Sequence, residues 1–135
     1  MDIDFVASFS PIVEDVASAR SFYAGALGIS FEGGEGDYAY TERLDGVRHL
    51  GLWPLSAAAE ACFGTPNWPS DLLRPQASIE FEVADVAAAA AELLDQGHRP
   101  LHPARTEPWG QTVARFLSDD GLLVAVCHTP DLREG

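Results

Sequence analysis

Val13-Glu14-Asp15-Val16-Ala17-Ser18-Ala19-Arg20-Ser21-Phe22-Tyr23, running on to Gly28, is answered later in the chain by Val83-Ala84-Asp85-Val86-Ala87-Ala88-Ala89-Ala90-Ala91-Glu92-Leu93-Leu94, running on to Gly97. In each copy an aspartate stands where a helix N-cap is wanted, and its carboxylate can accept from the first free N–H groups. Apolar side chains then recur at helical spacing: Val16, Ala19, Phe22, Tyr23 and Leu27 in the first copy. A glycine closes each helix. Each copy follows a short apolar run, at 5–10 and 77–81, and precedes strand-like segments. The two aspartates are 70 residues apart in a chain of 135. A duplication of that length predicts two similar modules facing each other. The groove between such modules is a natural ligand site.

Working outward, the first module covers 1–54. It reads as a strand over 5–13, the helix to Gly28, a short strand over 29–32, a Gly-rich turn at 33–36, and strands over 38–44 and 47–53 joined by Asp45-Gly46. A connector over 55–75 holds an Ala-rich helical piece at 56–62 and an ordered loop around Trp68. The second module, 76–135, reads as a strand over 77–83, the helix from Asp85 to Gln96, and strands over 99–102, 111–117 and 122–128, with a loop at 103–110 and a polar, frayed tail from Asp131. Each half is therefore β-α-β-β-β. The fold class is α+β: two tandem modules in one domain, forming two curved four-stranded sheets around a central cleft, with helices outside.

Composition narrows the function classes. Hydrophobic content of 47% and a mean hydropathy of −0.01 suit a globular domain with a real core. No apolar run approaches the roughly 18 residues of a membrane span. The start, Met1-Asp2-Ile3-Asp4, lacks the basic and apolar regions of a signal peptide. These features predict a cytoplasmic protein, in which Cys62 and Cys127 stay reduced and buried. The net charge of −13 and pI near 4.4 disfavour nucleic acid and anionic membranes as partners. The same field attracts cationic small molecules, or serves solubility alone, as in many acidic bacterial proteins.

The helix signature ending Phe22-Tyr23 and Leu27-Gly28 resembles the vicinal oxygen chelate superfamily, which includes glyoxalase I, extradiol dioxygenases, fosfomycin resistance transferases and bleomycin resistance proteins. Phe81-Glu82-Val83-Ala84-Asp85-Val86, Trp109-Gly110-Gln111 and Asp119-Asp120-Gly121 resemble its second half, so the likeness spans nearly the whole chain. The resemblance implies ligand positions on the first and last strands of each module in metal-dependent members. Here these fall on Ser8 and Ser78, and on Leu50 and Ala125. Serine hydroxyls are poor neutral ligands, and Leu and Ala offer none. A shift of one residue brings in His49, which reads either as a locally bonded strand histidine or as a ligand contact. A single imidazole falls short of the three or so protein ligands of a catalytic metal. The expectation is thus no metal and no cofactor. The resemblance also implies a homodimer.

Strand alternation sorts the cleft lining. It places Ser8 and Ser10 inward on the first strand, Arg48, Leu50 and Leu52 on the fourth, Ser78 and Glu80 on the fifth, and Leu123, Ala125 and Cys127 on the last. Trp53, Trp68 and Trp109 stand in loop-like settings beside Pro or Gly. Each reads as a core plug or as an aromatic wall; together with Tyr40 they suit a flat ligand, and a cation over such a ring gains roughly 0.5–2 kcal/mol. Glu80 and Gln111 would orient that ligand, unless Glu80 is solvated or paired with Arg48 or Arg115. The expected partner is a planar, aromatic small molecule, cationic if the acidity is aimed at it. No nucleophile–base pair is visible, and no catalytic residue is assigned. The leading expectation is sequestration of an antibiotic or other planar natural product, in the manner of the bleomycin-resistance branch. The alternative is a lyase, dioxygenase or isomerase, in the last case with Glu80 or Glu42 as base. A third is an interaction module with an empty cleft.

Overall fold

The computed structural model describes residues 1–33 and 38–133. Its strands are β1 (Phe5–Val13), β2 (Ala39–Thr41), β3 (Leu50–Pro54), β4 (Ala77–Glu82), β5 (Arg105–Thr106), β6 (Thr112–Leu117) and β7 (Leu122–His128). Its helices are α1 (Val16–Arg20), which widens into a π-helical segment over Ser21–Ala26, α2 (Leu55–Phe63), α3 (Val86–Asp95) and α4 (Pro130–Arg133). Asp15 caps α1, accepting from the N–H groups of Ala17 and Ser18, and Asp85 caps α3 through Ala88. The repeated aspartates thus do in three dimensions what their spacing implies.

The strands form one sheet in the order β2-β3-β1-β4-β7-β6-β5, not two sheets of four. The halves join edge to edge through antiparallel β1 and β4. Each of these is flanked by the last strand of its own half in parallel, β3 beside β1 and β7 beside β4. The duplication is therefore expressed as an approximate twofold about the β1–β4 seam. Joining there pairs N–H and C=O groups that two separate sheets would leave on exposed edges.

Hydrophobic burial fixes which face is which. Val83, Val86, Ala89, Ala114, Phe116 and Val126 form a cluster beneath α3. Val16, Ala39 and Leu52 do the same beneath α1, with Val13, Ala19, Tyr23 and Phe31 around them. The opposite face lines the cleft. Leu52 is fully buried in the α1 cluster, so it belongs to the helix face and not to the cleft. Its cross-strand partner is Ala39, while Gly51 pairs with Tyr40. Because Tyr40 points into the cleft, Gly51 must too, and Leu50 and Leu52 are turned away from it. The alternation expected for this strand is therefore one residue out of phase.

Other boundaries shift for local reasons. The segment 29–32 contributes one bridge, Glu32 to Tyr40, and no strand. The Gly34-Glu35-Gly36 part of the expected turn lies outside the described residues. The hairpin strands are shorter than expected because 42–49 is a wide loop, turning where Val47 N–H donates to the Leu44 carbonyl. The strand expected at 99–102 is absent: Pro100 and Pro103 lack N–H donors, and Leu101 alone reaches across, to the Arg115 carbonyl. The edge strand forms later, as β5, within the expected loop.

Of the tail expected to fray, residues 131–133 are ordered in α4, and 134–135 lie outside the described residues. Glu82, fully buried, accepts from the Thr129 N–H at 2.7 Å and from Arg133 Nη1 at 3.0 Å. Arg133 Nη2 reaches Asp4 at 2.9 Å, and Arg48 Nη1 donates to the Leu132 carbonyl at 2.7 Å. These bonds fold the segment against the cleft. Among the described residues no helix is long and apolar enough to cross a membrane.

Leu52→Ala removes a fully buried side chain from the α1 cluster. We expect it to lower stability by roughly 2–5 kcal/mol, read as a fall in the urea midpoint. Binding of small molecules in the cleft, followed by fluorescence, should be unaffected once the variant is folded.

Candidate functional site

The sheet and α4 enclose a cleft of about 590 Å³. Of the residues expected there, Ser8, Tyr40, Trp53 and Ser78 line it, as do Glu80, Trp109 and Gln111. The others do not. Leu50 and Leu52 are turned away, as above. Ala125 is sealed below the floor with Ala7, Val113 and Cys127. Arg48 lies with its guanidinium 4.1 Å from the Phe5 ring centroid and holds α4. Trp68 belongs to a separate shallow groove, edge-on to Phe63, with its indole N–H on the Leu73 carbonyl. It is a loop anchor, and the stacking wall is built from other rings.

Glu80 sits at the β1–β4 seam, where Ser8 is its cross-strand partner. A register shift between Val6 and Ser8 brings the serine opposite it. Ser8 Oγ and Gln111 Nε2 both donate to Oε1, each at 2.9 Å. Gln111 is itself fixed: its Oε1 accepts from the Trp109 indole N–H at 2.9 Å, and Nε2 also reaches Thr129 Oγ1 at 3.2 Å. Among the described residues no cation pairs with Glu80, so the alternative in which Arg48 or Arg115 bridges it is not realised. The carboxylate is held by one oxygen through neutral donors, and no described residue bonds to Oε2.

A second constellation comes from residues that alternation had placed outside the cleft or left unassigned. His49 Nδ1 lies 2.8 Å from Glu42 Oε2, and His49 Nε2 lies 2.5 Å from the Tyr38 hydroxyl. A carboxylate only accepts, so Nδ1 carries the proton toward Glu42. In the neutral imidazole Nε2 then accepts from Tyr38. The rings of Tyr38, Tyr40 and His49 are within 14° of parallel, with centroids 5.3–5.8 Å apart. Burial pushes the Tyr38 hydroxyl well above the usual phenol range; the Glu80 and Glu42 charges add to this and a bond from Ser10 opposes it. Tyr38 is thus a neutral hydrogen-bond donor at physiological pH. Its ring needs Gly51: a Cβ there would stand 2.0 Å from the Tyr38 hydroxyl. The criterion applied to strand five, apolar side chains toward the helix, would have found His49 and Gly51 had it been applied to strand four.

Arg115 lies at the inner end of the cleft, 1% exposed, 5.5 Å from the Trp53 ring centroid. Its Nη1 is 3.2 Å from His102 Nε2 and 3.6 Å from Glu107 Oε1. Burial lowers the His102 pKa, and the Arg115 and Arg105 charges lower it further. The neutral imidazole directs Nδ1–H to the Pro103 carbonyl at 2.8 Å and accepts from Arg115 at Nε2. Burial raises the thiols of both cysteines, that of Cys62 to about 11. Neither is set up as a nucleophile.

Metal-dependent relatives need a ligand cluster. Among the described residues no three His, Cys, Asp or Glu side chains stand together as one. Ser8 spends its hydroxyl on Glu80, and Leu50 and Ala125 offer no donor. The donor set here does not fit such an ion.

The sequence matches the profile of the Glyoxalase/Bleomycin resistance protein/Dioxygenase superfamily over residues 6–126, and the chain belongs to that superfamily. Among curated proteins none matches. Solved structures with the same fold include a superfamily member from Vibrio splendidus 12B01, at 17% identity and a TM-score of 0.59, covering 92% of this chain and 97% of that one. A protein from Legionella pneumophila described as an NAD-dependent benzaldehyde dehydrogenase aligns at 15% identity and TM-score 0.58, over 90% and 96%. A variant of Streptomyces coelicolor methylmalonyl-CoA epimerase, in complex with 2-nitronate-propionyl-CoA, aligns at 19% identity and TM-score 0.57, over 95% and 96%. At these identities the likeness shows the fold alone.

Two predictions test the site's construction. Gly51→Ala should lower stability by roughly 1–3 kcal/mol, read as a fall in the melting temperature, since its Cβ would stand 2.0–2.7 Å from the hydroxyl and two ring carbons of Tyr38 and the stacked ring must shift as a unit. It should break the Tyr38–His49 bond, read as a change in the imidazole 15N shifts. The second concerns pH. Unfolded, His102 binds its proton near pH 6.5; folded, only at lower pH. Between the two the unfolded chain holds more protons, so stability must fall as pH drops through that window. Urea midpoints at about pH 7.5 and about pH 5.5 should diverge less in His102→Gln than in the parent chain.

Proposed function

We propose that this chain is an isomerase that moves a proton next to a carbonyl group of a small molecule, using its own side chains. The observation that supports this reading is the placement of Glu80, held by Oε1 with no described residue bonded to Oε2, in the same cleft as the Glu42–His49–Tyr38 chain. Glu80 Oε2 would take the proton from the carbon, and the electron pair left behind would move onto the carbonyl oxygen. Tyr38 would turn its single O–H from His49 Nε2 to that oxygen, and would give it back to His49, fixed by Glu42, when the product leaves. The protonated Glu80 then gives a proton back to the other face of that carbon once the enolate has turned, which restores the carbonyl, regenerates the carboxylate and completes the isomerisation. Trp53, Trp109 and Tyr40 would shield and orient the compound. The epimerases among the fold's relatives carry out chemistry of this class, which supports the reading without assigning their substrate here.

A second reading is sequestration of a planar, antibiotic-like compound, in a cytoplasmic homodimer. It is favoured by one observation, the aromatic rings of Tyr38, Tyr40, Trp53 and Trp109 around one cleft.

The deciding experiment is exchange of solvent deuterium into methylmalonyl-CoA and a panel of small 2-substituted carbonyl compounds, followed by NMR. At least one compound should lose its carbon-bound proton at an enzyme-dependent rate. Glu80→Gln should slow this by roughly a hundred- to ten-thousandfold, and Tyr38→Phe by roughly a hundredfold or more. Saturable binding without exchange would transfer the case to sequestration.

A further inference from the structure

We propose that Arg115 anchors a carboxylate group on the compound the cleft takes; this rests on the cleft being the ligand site of the reading above.

Arg115 is a fully buried guanidinium on a cleft-facing position of β6, yet it is only half used. Its contacts within hydrogen-bonding or ion-pair distance are both made by Nη1: His102 at 3.2 Å and Glu107 at 3.6 Å. His102 is uncharged here and only accepts. Glu107 is drawn away, since its Oε1 accepts from Arg105 Nε at 2.7 Å. Arg115 Nε has no partner, and it alone among buried side-chain nitrogen and oxygen atoms of the described residues is left so. Nη2 bonds to none of them either. The unserved edge of the fork is therefore Nε with Nη2, the edge that takes a carboxylate through two parallel N–H···O bonds; because Nε is sealed from solvent in this structure, the carboxylate enters by displacing the side chains that cover it.

The surroundings suit such a guest. The Trp53 ring lies beside the guanidinium, and Ala125, opposite Arg115 on β7, has no side chain that could bond to it. A buried cation with an idle donor is costly unless a partner arrives. The other charged groups along the cleft, Glu42, Glu80 and Asp131, are acids. They would repel a carboxylate anywhere but at the Arg115 end, so they also set the direction in which the compound lies. One end would be fixed at Arg115, and the reacting carbon would be carried toward Glu80.

The test uses 2-naphthoate and its neutral counterpart 2-naphthamide, neither of which has a carbon-bound proton next to its carbonyl. Binding thus reports on Arg115 independently of turnover. Calorimetry on the intact chain should show a preference for naphthoate of roughly tenfold or more. Naphthoate, and not the amide, should shift the Arg115 Nε–H signal, assigned by triple-resonance NMR. Arg115→Lys keeps the charge but loses the fork, and should abolish the preference; should that variant fail to fold, the Nε–H signal of the parent chain decides. Equal affinity for the two compounds, or naphthoate binding that leaves the Nε–H signal unmoved, overturns the proposal. If naphthoate docks at Arg115 while no compound of the panel exchanges, the anchor stands and the isomerase reading falls. If neutral compounds exchange and naphthoate shows no preference, the reverse holds.

Discussion

The antiparallel seam between β1 and β4 is the contact on which the rest of the structure depends. It joins two halves that are each too small to enclose anything, and it does so with the same face of both turned inward. Phe9 and Ile79 pair on the helix side, while Ser8 and Glu80 pair on the other. A polar pair at the centre of a sheet is tolerable only because the serine hydroxyl, Gln111 and the open cleft satisfy it. The seam thus holds the fold together and sets the position of the Glu80 carboxylate in the cleft.

From that seam the cleft is built asymmetrically. The first half supplies rings and a carboxylate–imidazole–phenol chain from β2 and the residue before it, the 42–49 loop and β3. The second supplies Glu80, Gln111 and Arg115 from β4 and β6. Of the positions that the duplication makes equivalent, Ser8 and Ser78 are alike while Leu50 and Ala125 differ, and none of the four carries a strong donor. The chemistry has moved one residue along the strand, to His49, and across the sheet, to Arg115. A field of −13 surrounds a pocket in which, among the described residues, Arg115 is the one permanent cation. At short range in a buried site that local charge outweighs the distant and screened ones.

Much of this was legible in the sequence because it rests on local signals. The paired Asp15 and Asp85 gave both helices, and the apolar phase of β4 put Ser78 and Glu80 on the cleft side. What was not legible depends on partners distant along the chain. The phase of β3 is decided by Tyr40 across the hairpin, and that hairpin's short strands disguise the register. Trp68 reads like a wall because its ring is large, but its indole N–H is committed to Leu73. Arg115 carries no local mark at all: its burial and its idle Nε follow from how β6, the Pro100–Pro103 segment and β5 fold around it. The fate of the last turn was hidden for the same reason, since Glu82 and Arg133 are 51 positions apart.

That last turn has a consequence for access. Asp131 and Leu132 form part of the cleft wall, but α4 has four residues and buries none of them. It is held by side-chain bonds from Arg48 and Arg133 and by Leu132, which packs against Ala7, Val113, Ala125 and Cys127. Segments of this kind open locally at a small fraction of the free energy of global unfolding. The wall of the cleft thus joins two kinds of structure: a sheet tied by a ladder of backbone bonds, and one short turn tied by three arginine bonds and a single leucine, so the cost of parting that turn from the sheet is set by those few contacts.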